Sequence, residues 1–164
     1  MVRNLYRRQW KNKMKAYQHI LLTTDFSKFS EVVARKAVTL AGHFNARITL
    51  LHVVKEYPQE NTQANETLES SKDEDLSKNI IADNRQRLEA FARSIPILRM
   101  IPMITLSKES TEDVIIKVAR DIKADLVIMG EHEENSVSIS PELDTKKVQQ
   151  KAPCDVLVVH ADAA

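Results

Sequence analysis

Apolar residues fall into short continuous runs separated by stretches of helical spacing. Ile20-Leu-Leu-Thr-Thr24 is apolar and β-branched, the pattern of a strand covered on both faces, and Asp25 stands at its C-terminal end. Beyond it Val32, Val33, Ala37, Val38, Leu40 and Ala41 repeat along one helix face, with Ser27 placed to cap that helix. Ile48-Thr-Leu-Leu-His-Val-Val54 predicts a second strand, in which His52 reads as a satisfied, half-buried side chain rather than a ligand. Residues 55–75 are polar and acidic without an apolar period and read as a long surface loop. From Leu76 the helical spacing returns through Ile80, Ile81, Leu88, Phe91 and Ile95.

Ile97 to Leu106 predicts the third strand, interrupted by Pro102. Proline cannot donate to a strand ladder, so this strand belongs at a sheet edge. Ser110-Thr-Glu-Asp113 has the form of a capping box and opens a helix carrying Val114, Ile115, Val118, Ala119 and Ile122. Ala124-Asp-Leu-Val-Ile-Met-Gly130 is the fourth strand, read as running out at its glycine into a polar loop, 131–139. A polar helix follows from about Pro141 to Lys151, with the proline in its first turn, and Val156-Leu-Val-Val159 is the last strand.

Strands alternating with helices demand a mostly parallel sheet between two helical layers, an α/β, doubly wound, three-layer architecture. For five strands the common order is 3-2-1-4-5, which puts strand 3 at an edge, in agreement with Pro102. The topological switch point then falls between strands 1 and 4. It brings Asp25 and Gly130 to one crevice at the C-terminal edge of the sheet, where folds of this kind place their ligands.

Composition narrows the chemistry. Only two glycines are present, Gly42 and Gly130, so neither GxGxxG nor GxxxxGK[ST] can be written, and dinucleotide and P-loop readings are excluded. Basic and acidic residues nearly cancel, 24 against 23, which argues against nucleic acid as a partner of the whole chain. The charge is unevenly spread: residues 1–20 carry Arg3, Arg7, Arg8, Lys11, Lys13 and Lys15 and no acid, whereas residues 55–75 carry seven acids and two lysines. Residues 1–15 read as a flexible basic extension, with Met14 as an alternative start, and residues 16–164 as one domain. Trp10 among basic residues also fits an arm for nucleic acid or an anionic membrane surface, but no sustained period supports it. No apolar run approaches a membrane span, and the single Cys154 suits a reducing compartment, so the expectation is a cytoplasmic protein.

Glu131-His-Glu-Glu134 offers carboxylates and an imidazole for metal or acid–base work, but adjacent loop residues seldom ligate one ion, and a solvated acidic loop is the better reading. No metal site is expected. No GxSxG elbow is present and Ser27 already has a capping role, so no nucleophilic triad is expected either. Ser136, Ser138 and Ser140 form a polar run that composition alone reads as loop. Response-regulator chemistry would need paired acids after strand 1 and an acid ending strand 3, but Asp25 stands alone and Leu106-Ser107 has none. A flavodoxin-like reading lacks its Ser/Thr/Gly-rich loop after strand 1.

Four blocks carry a resemblance: Tyr17-Gln-His-Ile-Leu-Leu-Thr-Thr-Asp-Phe-Ser27, Ile48-Thr-Leu-Leu-His-Val53, Ala124–Gly130 and Ala152-Pro-Cys-Asp-Val-Leu-Val-Val159. In order and spacing, over residues 16–160, they resemble the universal stress proteins, which implies an adenine nucleotide alpha hydrolase-like fold. ATP-binding members carry Gly-x-x-Gly, nine residues, then Gly-Ser/Thr after the fourth strand. Here Gly130 fits the first position, but Glu133, Leu143 and Asp144 occupy the others, and the loop is one residue shorter. The resemblance is therefore to the A-type branch, which implies a non-enzymatic stress-response protein without bound ATP. Thr24, Asp25, Val53, Met129 and Gly130 match family positions around the adenosine, leaving a vestigial nucleotide site. The alternative is an ATP- or AMP-binding, nucleotide-responsive switch. The resemblance further implies a homodimer paired through Val156, Leu157, Val158 and Val159, with other proteins as partners, permits phosphorylation in the serine run, and places Cys154 at the entry to the last strand.

Overall fold

The computed structural model describes residues 17–56, 69–96, 100–131 and 143–160, with the side chains of 69–77 excepted. The elements are β1 (His19–Thr23), α1 (Lys28–Phe44), β2 (Arg47–Lys55), α2 (Glu69–Ser94), β3 (Met100–Ser107), α3 (Thr111–Asp121), β4 (Leu126–Glu131), α4 (Thr145–Lys151) and β5 (Asp155–His160). The five strands form one sheet in the order β3-β2-β1-β4-β5, and every neighbouring pair is parallel. Pro102 accordingly lies on an edge strand.

Period-two alternation in the strands divides the core in two. Ile20, Leu22, Ile48, Leu50 and Ile128 point to α1 and α2, where Val33, Ala34, Ala37, Ala41 and Leu88 complete one cluster. Leu21, Leu51, Val127 and Met129 point the other way, against Val114, Ile115, Val118 and Ala119 of α3 and Val148 of α4. Both caps form as the sequence implies. The Ser27 side chain accepts from the Ser30 N–H, and that of Ser110 from the Asp113 N–H. The Ser110 hydroxyl also donates to the Asp113 carboxylate, 2.7 Å away.

Several boundaries differ from expectation. The acidic stretch 69–75 is helical, because α2 begins at Glu69. Acids at a helix start are favoured by the helix dipole, so this turn forms without an apolar period. The rest of the expected acidic loop, residues 57–68, lies outside the described residues, as do the 1–15 extension and the serine run. On α1 the buried stripe runs through Val33, Ala34, Ala37 and Ala41, while Val32 is exposed. The last helix starts at Thr145 with Asp144 as its N-cap, its carboxylate accepting from the Lys147 N–H; Pro141 lies outside the described residues. Strand β4 does not run out at its glycine. Gly130 pairs with Val159 and Glu131 with His160, so the ladder with β5 continues past it.

Candidate functional site

β1 ends at Thr23, while its neighbours β2 and β4 run further, so the turn that follows β1 lies at the C-terminal edge of the sheet beside β4. Thr24 lies two residues past the last β1–β4 pair, Leu22 with Ile128, and is thus level with Gly130. Sequence-expected residues therefore do converge here, but each is engaged in its own way.

Thr24 is buried. Its N–H donates to the Leu51 carbonyl at 3.0 Å, its hydroxyl oxygen accepts from the Phe26 N–H at 3.1 Å, and its carbonyl lies 2.8 Å from His52 Nδ1. Asp25 is exposed, and its Oδ1 accepts from the Ser30 hydroxyl at 2.6 Å and the Ser27 N–H at 2.9 Å, so one oxygen is committed to the start of α1. Val53 is half-buried and packs on the α3 side of the sheet. The Met129 side chain is wholly buried in the same cluster, which leaves only its backbone near the edge. Gly130 has no positive φ. A Cβ there would lie 3.0 Å from Phe29 Cε1 and 3.0 Å from Val33 Cγ2, so its glycine is explained by the close approach of α1 to β4.

The side of the crevice formed by α3 and α4 holds residues that sequence reasoning did not connect. Glu131, at the end of β4, accepts from the Thr145 hydroxyl at 2.9 Å and lies 2.7 Å from His160 Nδ1 at the end of β5. Glu112, buried on α3, accepts from the Asp144 N–H at 3.1 Å. Burial alone would raise the Glu112 pKa, but hydrogen bonds from its own N–H and that of Asp144, with the nearby Ser110 hydroxyl and the Lys147 charge, hold it below the usual carboxylate range. Lys147 donates to Asp113 at 2.7 Å and Ser110 at 3.0 Å, which keeps the ammonium charged and the Asp113 carboxyl low. A charged lysine cannot act as a base toward Ser110, so this serine–lysine contact is a clamp between α3 and α4 rather than a nucleophile. No local spacing signals these contacts, since Glu112 and Asp144 are 32 residues apart.

Of the Glu131–Glu134 cluster only Glu131 is among the described residues. Among those residues no group of three or more His, Cys, Asp and Glu side chains could hold a metal, and no helix is long and apolar enough to cross a membrane. Cys154 is half-buried, and burial raises its thiol pKa, which keeps it in the unreactive form.

Comparison with known proteins places this geometry. The profile of the universal stress protein family matches residues 16–160. Universal stress protein A of Salmonella typhi is 48% identical over 42 residues, a segment covering 26% of this chain and 29% of that protein. The chain is also similar in structure to universal stress protein UspA from Lactobacillus plantarum, at a TM-score of 0.60 and 23% identity, covering 89% of this chain and 99% of that one. The universal stress protein from Archaeoglobus fulgidus in complex with dAMP gives a TM-score of 0.56 at 16% identity, covering 88% of this chain and 98% of that one. With the family profile matched along nearly the whole described fold, and the 3-2-1-4-5 sheet in place, the chain belongs to the universal stress protein family.

Proposed function

We propose that this chain is a cytoplasmic, non-enzymatic stress-response protein of the A-type, acting as a homodimer through contacts with other proteins and without a bound nucleoside triphosphate. The observation that carries the reading is the self-occupied half of the crevice. In ATP-binding members glycines and a hydroxyl wrap the phosphates after the fourth strand. Here the Asp144 N–H, the Thr145 hydroxyl and the Lys147 N–H are taken by the carboxylates of Glu112, Glu131 and Asp144. A phosphate brought here would have to displace these acceptors and meet their charge. Two like charges about 4 Å apart repel by about 4 kcal/mol in a partly solvated setting.

Dimerisation is supported by the edge position of β5, where Val156, Leu157 and Val158 are half-buried and only Val159 is fully covered within one chain. An apolar edge strand is a surface that another strand can pair with or cover. Val158→Lys should give monomers in light scattering, and an unchanged dimer would move the interface elsewhere.

A second reading is favoured by the nucleoside half of the crevice, where Thr24, Asp25, Val53 and Gly130 remain at the sheet edge, and by the dAMP held in the Archaeoglobus relative. A nucleoside monophosphate such as AMP needs less of the occupied side. Thermal shift with Mg-ATP, AMP and FMN separates the readings, because a ligand at a hundred times its Kd adds about 2.7 kcal/mol. A flat response to all three supports the first reading, a response to AMP alone the second, and stabilisation by Mg-ATP overturns the first.

A further inference from the structure

His19 is buried at the start of β1, and neighbours from two other elements meet on its ring. Nε2 lies 2.8 Å from the Thr49 hydroxyl of β2. Nδ1 lies 3.1 Å from the Ile122 carbonyl at the C-terminal end of α3, and also 3.1 Å from Nη2 of Arg47, the first residue of β2. The carbonyl can only accept and the guanidinium can only donate, while one ring nitrogen carries either a proton or a lone pair. Nδ1 therefore serves one of these two neighbours at a time.

The remaining groups at the ring fit either choice. The Thr49 hydroxyl can donate to Nε2 or accept from it. The Asp125 carboxylate accepts from the backbone N–H groups of Gln18 and His19, at 2.8 and 2.9 Å, and so does not touch the ring nitrogens. In the neutral ring the two neighbours differ in strength. A bond from the guanidinium is charge-assisted, whereas a neutral ring N–H on the Ile122 carbonyl is not, so Nδ1 keeps its lone pair and Nε2 the proton. In the imidazolium both nitrogens carry protons. Nδ1 then has no lone pair for Arg47 and meets it as a like charge, while it can donate to Ile122 at a helix end whose carbonyls favour a cation. Arg47 is exposed, so water can take up its guanidinium, whereas the buried ring stays in place.

We propose that His19 is a proton-operated partner switch: neutral, its Nδ1 accepts from Arg47 and ties β1 to the start of β2; protonated, it donates to the Ile122 carbonyl, ties β1 to the end of α3, and expels the guanidinium. Acidification thus frees one cation at the N-terminal end of the sheet, beside Gln18, whose carbonyl accepts from the Arg47 N–H at 3.0 Å. The switch requires neither the dimer nor any bound nucleotide. Burial first, then Arg47, disfavour the charged ring; the Ile122 carbonyl and Asp125 favour it, and the balance holds His19 below its ordinary pKa. The Arg47-bound state binds one proton fewer than the released state. It is therefore complete above about pH 6.5 and is lost as pH falls through the lower folded value.

Nitrogen-15 NMR of the full chain, labelled in histidine and arginine, tests the switch, because bare and protonated ring nitrogens resonate far apart. At neutral pH Nδ1 of His19 should be bare and Nε2 protonated, with the Arg47 side-chain signals displaced from those of freely exposed arginines. On acidification Nδ1 should gain its proton and the Arg47 signals should reach the free position at one shared midpoint below about 6.5. A neutral ring protonated on Nδ1, or Arg47 signals that stay put while His19 titrates, would overturn the proposal. Arg47→Met keeps the aliphatic stem and removes the donor. In that variant the neutral ring should move its proton to Nδ1 for the Ile122 carbonyl, and its midpoint should rise; an unchanged tautomer or an unmoved midpoint overturns the proposal as well. The wild-type titration stands without the variant.

Discussion

Replacing Gly130 by alanine separates two accounts of the glycine. If it served backbone freedom, alanine would be harmless, since Gly130 has no positive φ, and restricting the unfolded chain would add about 0.4–1 kcal/mol. The close approach of α1 predicts the opposite sign. The added methyl would meet Phe29 at 3.0 and 3.1 Å and Val33 at 3.0 Å. Val33 is β-branched and only 1% exposed, so it has little room to move, whereas the Phe29 ring is half-buried and can give slightly. Overpacking of this kind costs about 1–3 kcal/mol, and the freedom of Phe29 places the expectation at about 1–2 kcal/mol. For 164 residues each kcal/mol corresponds to about 3 °C of melting temperature. Urea unfolding should therefore show a lower midpoint at unchanged slope. Val33→Ala should cost at least about 0.5 kcal/mol less in the Gly130→Ala background than alone, because it removes one of the two clashes. A Gly130→Ala protein as stable as the wild type, or strict additivity with Val33→Ala, would refute the reasoning.

Two further expectations rest on other contacts. Ser110→Ala removes the N-cap of α3 and the partner of Lys147, and should cost about 1–2 kcal/mol in denaturant unfolding, whereas Ser110→Asp should recover most of it; equal losses in both would refute the capping role. His19 is buried, with Nε2 2.8 Å from the Thr49 hydroxyl, and burial first, then Arg47, hold its pKa below the ordinary value against the opposing Ile122 carbonyl and Asp125. Its contribution to stability should be complete above about pH 6.5 and fall as pH drops, by at most about 1.4 kcal/mol per pH unit, so unfolding of His19→Gln should show a flatter acid limb. An equally steep limb in the variant would assign the pH dependence elsewhere.

Local pattern determined much of this protein. Apolar runs marked all five strands, Ser27 and Ser110 announced their caps, and Pro102 pointed β3 to an edge. These features are legible because strand and helix periods, caps and proline act over a few neighbouring residues. Local pattern misread residues 69–75, where acids at a helix start look like loop, and it misread Gly130 as a strand end because a missing side chain does not say what lies opposite. Only the tertiary structure decided that α1 presses on Gly130, that Phe26 rests between His52 and Arg87, and that Glu112 and Glu131 hold the donors at the start of α4. Those are pairings between residues from 14 to 101 positions apart, made by the winding of the sheet. Sequence could say that the loop after β4 carries few glycines; the fold adds that the chain's own carboxylates hold the donors at the start of α4.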